Sequence, residues 1–270
     1  MPLWQAALWV LFGGLGAQLA AGSAAALVRA WLHARGLPAS AHPPAAWLLA
    51  PAMLVQAGAM IFVCVLAPAL AGLPVAAALG LRKISARSSI AAAVGTVALG
   101  PTADFLMRSM QTLLPKLNLG VLPMLHDLVR DLPWALSWPA LALLPGVSEE
   151  LMFRGLLQTA AERSGFAIGL SAIGFALFHV DPHHVVGVLP LGFFLAWVRS
   201  RCGTGATIVG HVANNSAAIA VVQSTTLDVG YGTDKPMPWQ WLPVSLLITA
   251  ACVVAIARET AGARSTAARA

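Results

Sequence analysis

Residues 45–73 read AAWLLAPAMLVQAGAMIFVCVLAPALAGL, a run without Asp, Glu, Lys or Arg. A helix needs about twenty apolar residues to cross a ~30 Å hydrocarbon core, and this stretch exceeds that length. Outward from it, comparable runs recur at about 3–28, 88–107, 135–161, 166–180, 185–200, 204–224 and 240–257, separated mostly by brief loops. The 270 residues are 59% apolar and 10% charged, with a mean hydropathy of +0.79. A soluble domain is about one quarter charged and has the polar surface this chain lacks. The sequence therefore predicts an all-α, polytopic membrane bundle of about eight transmembrane helices. Residues 1–257 form its single domain, and 258–270 a short cytoplasmic tail rich in Ala, Arg and Thr.

The excess of Lys and Arg over Asp and Glu, 16 against 10, lies in short clusters between apolar runs. That is the pattern of membrane loops, not of a nucleic-acid surface, so no nucleic-acid partner is expected. Arg82, Lys83, Arg87, Arg163, Arg199, Arg201, Arg258, Arg264 and Arg269 fall on one side of the alternating spans, which orients both termini toward the cytoplasm. Cys64 and Cys252 lie within apolar runs and Cys202 in a short basic loop, with no spacing that resembles a disulfide framework or a metal site. Tryptophans such as Trp4, Trp31, Trp47, Trp134, Trp138, Trp239 and Trp241 cluster near span ends, as headgroup anchors do. The longest loop, about 108–134, carries Arg108, Lys116, Asp127, Arg130 and Asp131 among Leu and Met, a pattern fit for an interfacial helix. Gly165 and Gly169 make a GxxxG spacing that would let two helices approach closely. The first apolar run lacks a basic n-region and a clear cleavage site, so it is expected to be retained.

Four ionisable residues stand where lipid is expected: Glu149, Glu150, His179 and His211. A charge at mid-bilayer costs at least ~2.5 kcal/mol, so such residues face a polar cavity and have work there. Glu150 and Arg154 are four apart, acid before base, the favourable order for a supporting pair on one helix face. Glu149 is rotated about 100° from its neighbour, which frees it as the reactive carboxylate. His211 and Asn215 are again one turn apart on one face, and two aligned donors suit a developing oxyanion. A carboxylate and an imidazole that share a water can activate it for hydrolysis of an amide bond. Metal-assisted hydrolysis fits the same residue types, with Glu149, His179 and His211 as the ligands should zinc be bound.

Three ordered motifs, Glu149-Glu150-x-x-Phe153-Arg154-Gly155, Phe175-x-x-x-His179 and His211-x-x-x-Asn215, resemble the CAAX protease and bacteriocin-processing family, also called the Abi family, which includes the type II CAAX prenyl endopeptidases. The stretch from Gly192 to Asn215, with Trp197, Arg199 and Thr204-Gly205, is similar to the family's approach to its third motif, and Leu79-Gly80-Leu81-Arg82 to a common element of it. The resemblance implies a helical bundle around a membrane-embedded polar cavity, with the catalytic core at about 135–224. It also implies Glu149 as base, His179 as its partner on the water, His211 and Asn215 as oxyanion donors, and Glu150 with Arg154 as support. The resemblance leaves two mechanisms open, a zinc metalloprotease and a metal-free one built on the glutamate.

The implied partners are the lipid bilayer and a membrane-associated or lipid-linked protein or peptide, cleaved in CAAX-type, bacteriocin or leader-peptide processing. The expected location is the cell membrane of a bacterium, the inner membrane where there are two. Two rival readings use the same residues. A membrane scaffold or immunity protein would keep the polar cluster for folding, and a proton-coupled transporter would use Glu and His as a relay but should show paired repeats, which are not seen.

Overall fold

The computed structural model describes residues 1–38, 45–117, 119, 121–130, 132–224, 230 and 235–267. Asp131 of the long loop and Arg269 of the tail lie outside the described residues, as does the side chain of Arg264. Among the described residues the chain is helical throughout, without strands. The long helices are α1 (Leu3–Ala34), α2 (Ala45–Leu70), α4 (Ala86–Ala98), α5 (Gly100–Leu113), α11 (Pro182–Cys202), α12 (Thr204–Val222) and α13 (Trp241–Ala267), with the single turn α3 (Val75–Ala78) after α2. Short helices fill the middle: α6 (Val121–Arg130), α7 (Trp134–Trp138), α8 (Leu144–Glu150), α9 (Gln158–Ala161) and α10 (Ala167–Leu177).

Each of the eight apolar runs is helical, but among the described residues six helical segments are long and apolar enough to cross a membrane, α4 and α5 together making one of them. The run at 166–180 yields α10, whose 11 residues reach only about 16 Å at 1.5 Å per residue. The run at 135–161 is interrupted twice, by wide π-helical turns at Pro139–Leu143 and Leu151–Leu157 on either side of α8. Its irregularity starts with the prolines. Pro139 and Pro145 have no N–H, so the helix cannot close onto the carbonyls four residues before them. The last helix continues to Ala267, past residue 257 where the apolar run ends.

Packing follows the logic of lipid, in which small residues form the contacts and large ones face out. On α1 the buried positions are Ala6, Gly14, Ala17 and Ala21, while Leu11, Phe12, Leu15 and Leu19 are exposed. One core gathers Met60, Cys64, Met152, Phe153, Leu156 and Phe175, and a second gathers Ala92, Leu191, Phe194, Leu195 and Ile256. The three cysteines are free, with Cys64 and Cys252 buried. Trp4, Trp31, Trp47, Trp134, Trp239 and Trp241 are exposed at helix ends, whereas Trp138 turns inward and donates from Nε1 to Ser216 Oγ at 2.8 Å.

The GxxxG expectation is not met, because Gly165 lies in a turn at φ +77° and neither it nor Gly169 faces another helix. The close approach occurs at Gly146 instead. A Cβ there would stand 2.6 Å from Val212 Cγ2 and 3.1 Å from the Val212 backbone nitrogen, so α8 lies directly on α12. At its other end, α12 is held by the turn after α3. Thr204 N–H donates to Gly80 O at 3.1 Å, and Thr204 Oγ1 to Leu79 O at 2.7 Å. Gly80 has φ +60° and no room for a side chain against the buried Arg199 guanidinium, which itself binds Glu162 and Thr159. These contacts fix the level at which His211 enters the bundle.

Candidate active site

The interrupted helix carries both glutamates into the interior, and they diverge as their 100° separation requires. Glu150 is fully buried and engaged on two sides, its Oε1 lying 2.9 Å from Arg154 Nη1 and 2.9 Å from His211 Nδ1. The same arginine donates from Nη2 to Gly192 O at 3.2 Å and stacks 4.1 Å over the Phe175 ring. One turn on, Gln158 Nε2 donates to Ala196 O at 2.7 Å. Two polar side chains four residues apart thus grip two carbonyls four residues apart on α11, registering one helix on the other.

Glu149 points elsewhere. It lines a cavity of about 510 Å³ together with Phe175, His179, His184, His211, Asn214 and Asn215, walled by apolar side chains from α2, α5, α6, α11 and α12 and by Leu99 between α4 and α5. Its Oε2 is buried and without a hydrogen-bond partner among the described residues. An unpaired buried carboxylate oxygen is costly, and native structures keep few such groups without a use for them. The long loop contains the helix α6, and Leu125, His126 and Val129 from it contribute to the cavity wall.

The histidines converge through one aromatic ring. Phe175 sits edge-on to His179, with centroids 4.9 Å apart, and edge-on to His211 at 5.5 Å. His179 Nδ1 lies 3.0 Å from Phe175 O. A carbonyl can only accept, so Nδ1 carries the proton and Nε2 keeps its lone pair. His211 is ordered likewise: Nδ1 donates to Glu150, which leaves Nε2 as its open nitrogen.

Asn215, expected to offer its amide to the site, also has a structural contact. Its Nδ2 donates to Leu141 O at 3.2 Å, and Leu141 is the residue whose α-helical partner would be the absent N–H of Pro145. One amide hydrogen is committed to repairing the helix and the second remains for the cavity. Its Oδ1 accepts from Asn214 Nδ2 at 3.3 Å.

His184 also belongs to the cavity lining, although its sequence context points only to a loop histidine. Its ring lies 4.6 Å from that of His179, edge to face. Two local features turn it inward. Asp181 caps α11 by accepting from the backbone N–H groups of His183 and His184 at 3.0 and 3.3 Å, with Pro182 at the favoured first position. Val180 takes φ +62°, a conformation a β-branched residue rarely adopts. The capping signal Asp181-Pro182 is legible in the sequence, and the reversal at Val180 is not. His183 turns away and bonds through Nε2 to Leu114 O at 3.0 Å.

Glu149, His179 and His211 share the cavity but do not make a ligand cage. Among the described residues no three His, Cys, Asp or Glu side chains are grouped to hold a metal ion. The donor set therefore does not fit zinc as it stands, and no chemical step is derived through a metal.

No curated protein and no solved structure matches the chain. Residues 131–217, about a third of the 270 residues, match the family model described as type II CAAX prenyl endopeptidase Rce1-like. The matched segment contains both glutamates, Arg154, both site histidines and Asn215. By that match, the segment that builds the polar cavity of this multi-span helical bundle is similar to the type II CAAX prenyl endopeptidases.

Proposed function

We propose that the chain hydrolyses a peptide bond in a membrane-associated or lipid-linked protein or peptide, with Glu149 as the base, at the inner membrane of a bacterial cell. The observation that carries this reading is the division of labour between adjacent carboxylates. Each carboxylate keeps one buried oxygen without a partner, but Glu150 is held through its other oxygen by Arg154 and His211, while Glu149 lines the cavity.

In this mechanism a water sits between Glu149 and the free Nε2 of His179, both acceptors, which together orient its two hydrogens. Glu149 takes one proton as the water oxygen attacks the carbonyl carbon. The carbonyl π pair moves to oxygen, giving a tetrahedral oxyanion. The uncommitted amide hydrogen of Asn215 stabilises that charge, and His211, which enters the step already protonated on both nitrogens, donates to it from Nε2. Glu150 on the far nitrogen offsets the charge of that imidazolium throughout. Glu149 then returns its proton to the departing nitrogen as the C–N bond breaks, leaving a carboxylic acid and an amine.

The test is cleavage of a panel of membrane-anchored peptides, some prenylated at a C-terminal cysteine and some carrying leader segments, by purified protein in liposomes with products identified by mass. Glu149→Gln should lower the rate at least about a hundredfold, the usual contribution of a positioned general base. Equal cleavage by the parent and by Glu149→Gln overturns the assignment of the base. A scaffold that only binds its partner would keep its biological effect in that variant.

A further inference from the structure

Two primary amides enter the cavity from helices that are otherwise almost wholly apolar. Gln56 is the sole amide, hydroxyl or charged side chain in α2, and Gln18 lies in the middle of α1. Both line the cavity that holds Glu149. Gln18 stands one turn beyond Gly14, whose face packs on Phe178 and Met152. Gln56 stands one turn before Met60, a fully buried core residue. Gln18 is exposed and Gln56 half-buried, so their amides border the cavity without being packed away in the core, and neither makes a hydrogen bond to a described residue. A polar side chain kept in a transmembrane helix without a partner has a ligand or a water-filled space to serve.

The spacing indicates the ligand. A Cβ on Gly13 would lie 2.8 Å from Val63 Cγ1, which sets the register of the antiparallel pair α1 and α2. Five residues on from Gly13 and five back from Val63, Gln18 is level with Gly58. Gln56 is two residues away, about 3 Å along the axis at 1.5 Å per residue. That is close to the ~3.3 Å rise of one residue in an extended chain. A primary amide offers one carbonyl acceptor and an N–H donor, the complement of a peptide group.

A peptide bond inside a helix has both its polar groups occupied, so a protease in lipid must unwind its substrate locally. Each main-chain group released in the bilayer then needs a partner, because no bulk water is there to supply one. We propose that Gln18 and Gln56 form a main-chain binding wall, which receives an extended, unwound stretch of the substrate peptide beside Glu149. The proposal rests on the endopeptidase reading and adds to it the form in which substrate is bound. Recognition through the main chain makes the site tolerant of side-chain sequence and selective against helical segments.

The experiment uses full-length protein carrying Glu149→Gln, which binds without cleaving, in detergent micelles. The probes are a fluorescein-labelled Leu-Ala decapeptide and its analogue with N-methyl groups on alternate main-chain nitrogens, followed by fluorescence anisotropy. Gln18→Leu and Gln56→Leu should each weaken binding of the unmodified peptide about three- to tenfold, the worth of one neutral hydrogen bond, and leave the methylated analogue unaffected. With Glu149 restored, the same variants should raise KM by that factor and keep kcat within about twofold, the mark of uniform binding. No binding of the decapeptide, equal affinities in all variants, or an equal loss for both peptides overturns the proposal. Main-chain-dependent binding without cleavage of any peptide by the parent would sink the hydrolase reading and leave the binding wall standing. Cleavage without that dependence would do the reverse.

Discussion

Glu150 and His211, 61 positions apart in the chain, meet across the seam between α8 and α12 with Oε1 2.9 Å from Nδ1. The contact places the second carboxylate behind an imidazole, as its orienting group, and separates it from the cavity that Glu149 faces. Arg154 on the same oxygen offsets the carboxylate's charge where both side chains are fully buried.

Removing one member of a buried pair strands the other, at a cost of about 3–5 kcal/mol. Arg154→Met should therefore destabilise the protein strongly, measured as loss of folded protein on titration with a denaturing detergent. The double variant Glu150→Leu with Arg154→Met should recover most of that stability. Its hydrolysis should stay impaired, because His211 would have lost the carboxylate that offsets its charge. Recovery of both stability and activity would show that Glu150 acts in folding alone.

Helical spacing alone separated the two glutamates and matched Glu150 with Arg154. It did not reveal the partner of His211, because a projection sorts the faces of one helix but does not say which face another helix covers. That choice is made by Gly146, whose missing side chain lets Val212 in, and a lone glycine in an Ala- and Gly-rich chain carries no such label. The spacing at Gly165 and Gly169 looked more like a contact and packs against no other helix. The π-helical turns were hidden for a related reason: the apolar run at 135–161 is continuous, and its backbone break follows from prolines a membrane helix ordinarily tolerates. Gln18, Gln56 and His184 reach the cavity through register and a strained turn, which leave no trace in local pattern.

Gly146→Val would force the seam open. With a Cβ 2.6 Å from Val212 Cγ2 and 3.1 Å from a backbone nitrogen, overpacking should cost about 1–3 kcal/mol and draw His211 away from Glu150. Peptide cleavage should drop along with thermal stability. Val212→Ala in the same chain should restore part of each, since it clears the side-chain clash and leaves the backbone one. A Gly146→Val protein with parental activity would show that the α8–α12 distance does not matter to the site.

Because the donors do not group around a point, hydrolysis should persist after exhaustive dialysis against EDTA and 1,10-phenanthroline, assayed in metal-free buffer. Activity that disappears and returns with stoichiometric zinc would mean that His179, His211 and Glu149 rearrange into a ligand set.

Asn215 has two tasks that can be pulled apart. Its amide repairs the carbonyl of Leu141, exposed by the missing N–H of Pro145, and its other hydrogen faces the cavity. Asn215→Ala should lose both: about 1–3 kcal/mol of stability for an unpaired buried carbonyl, and about a hundredfold or more in rate for an absent oxyanion donor. Adding Pro145→Ala supplies a backbone N–H four residues after Leu141, so the helix can close on itself. The double variant should regain stability, read as its unfolding temperature in detergent, while its cleavage rate stays at the level of Asn215→Ala. If the rate returned with the stability, Asn215 would be a helix-repair residue only, and His211 would be left as the oxyanion's sole donor on that face of α12.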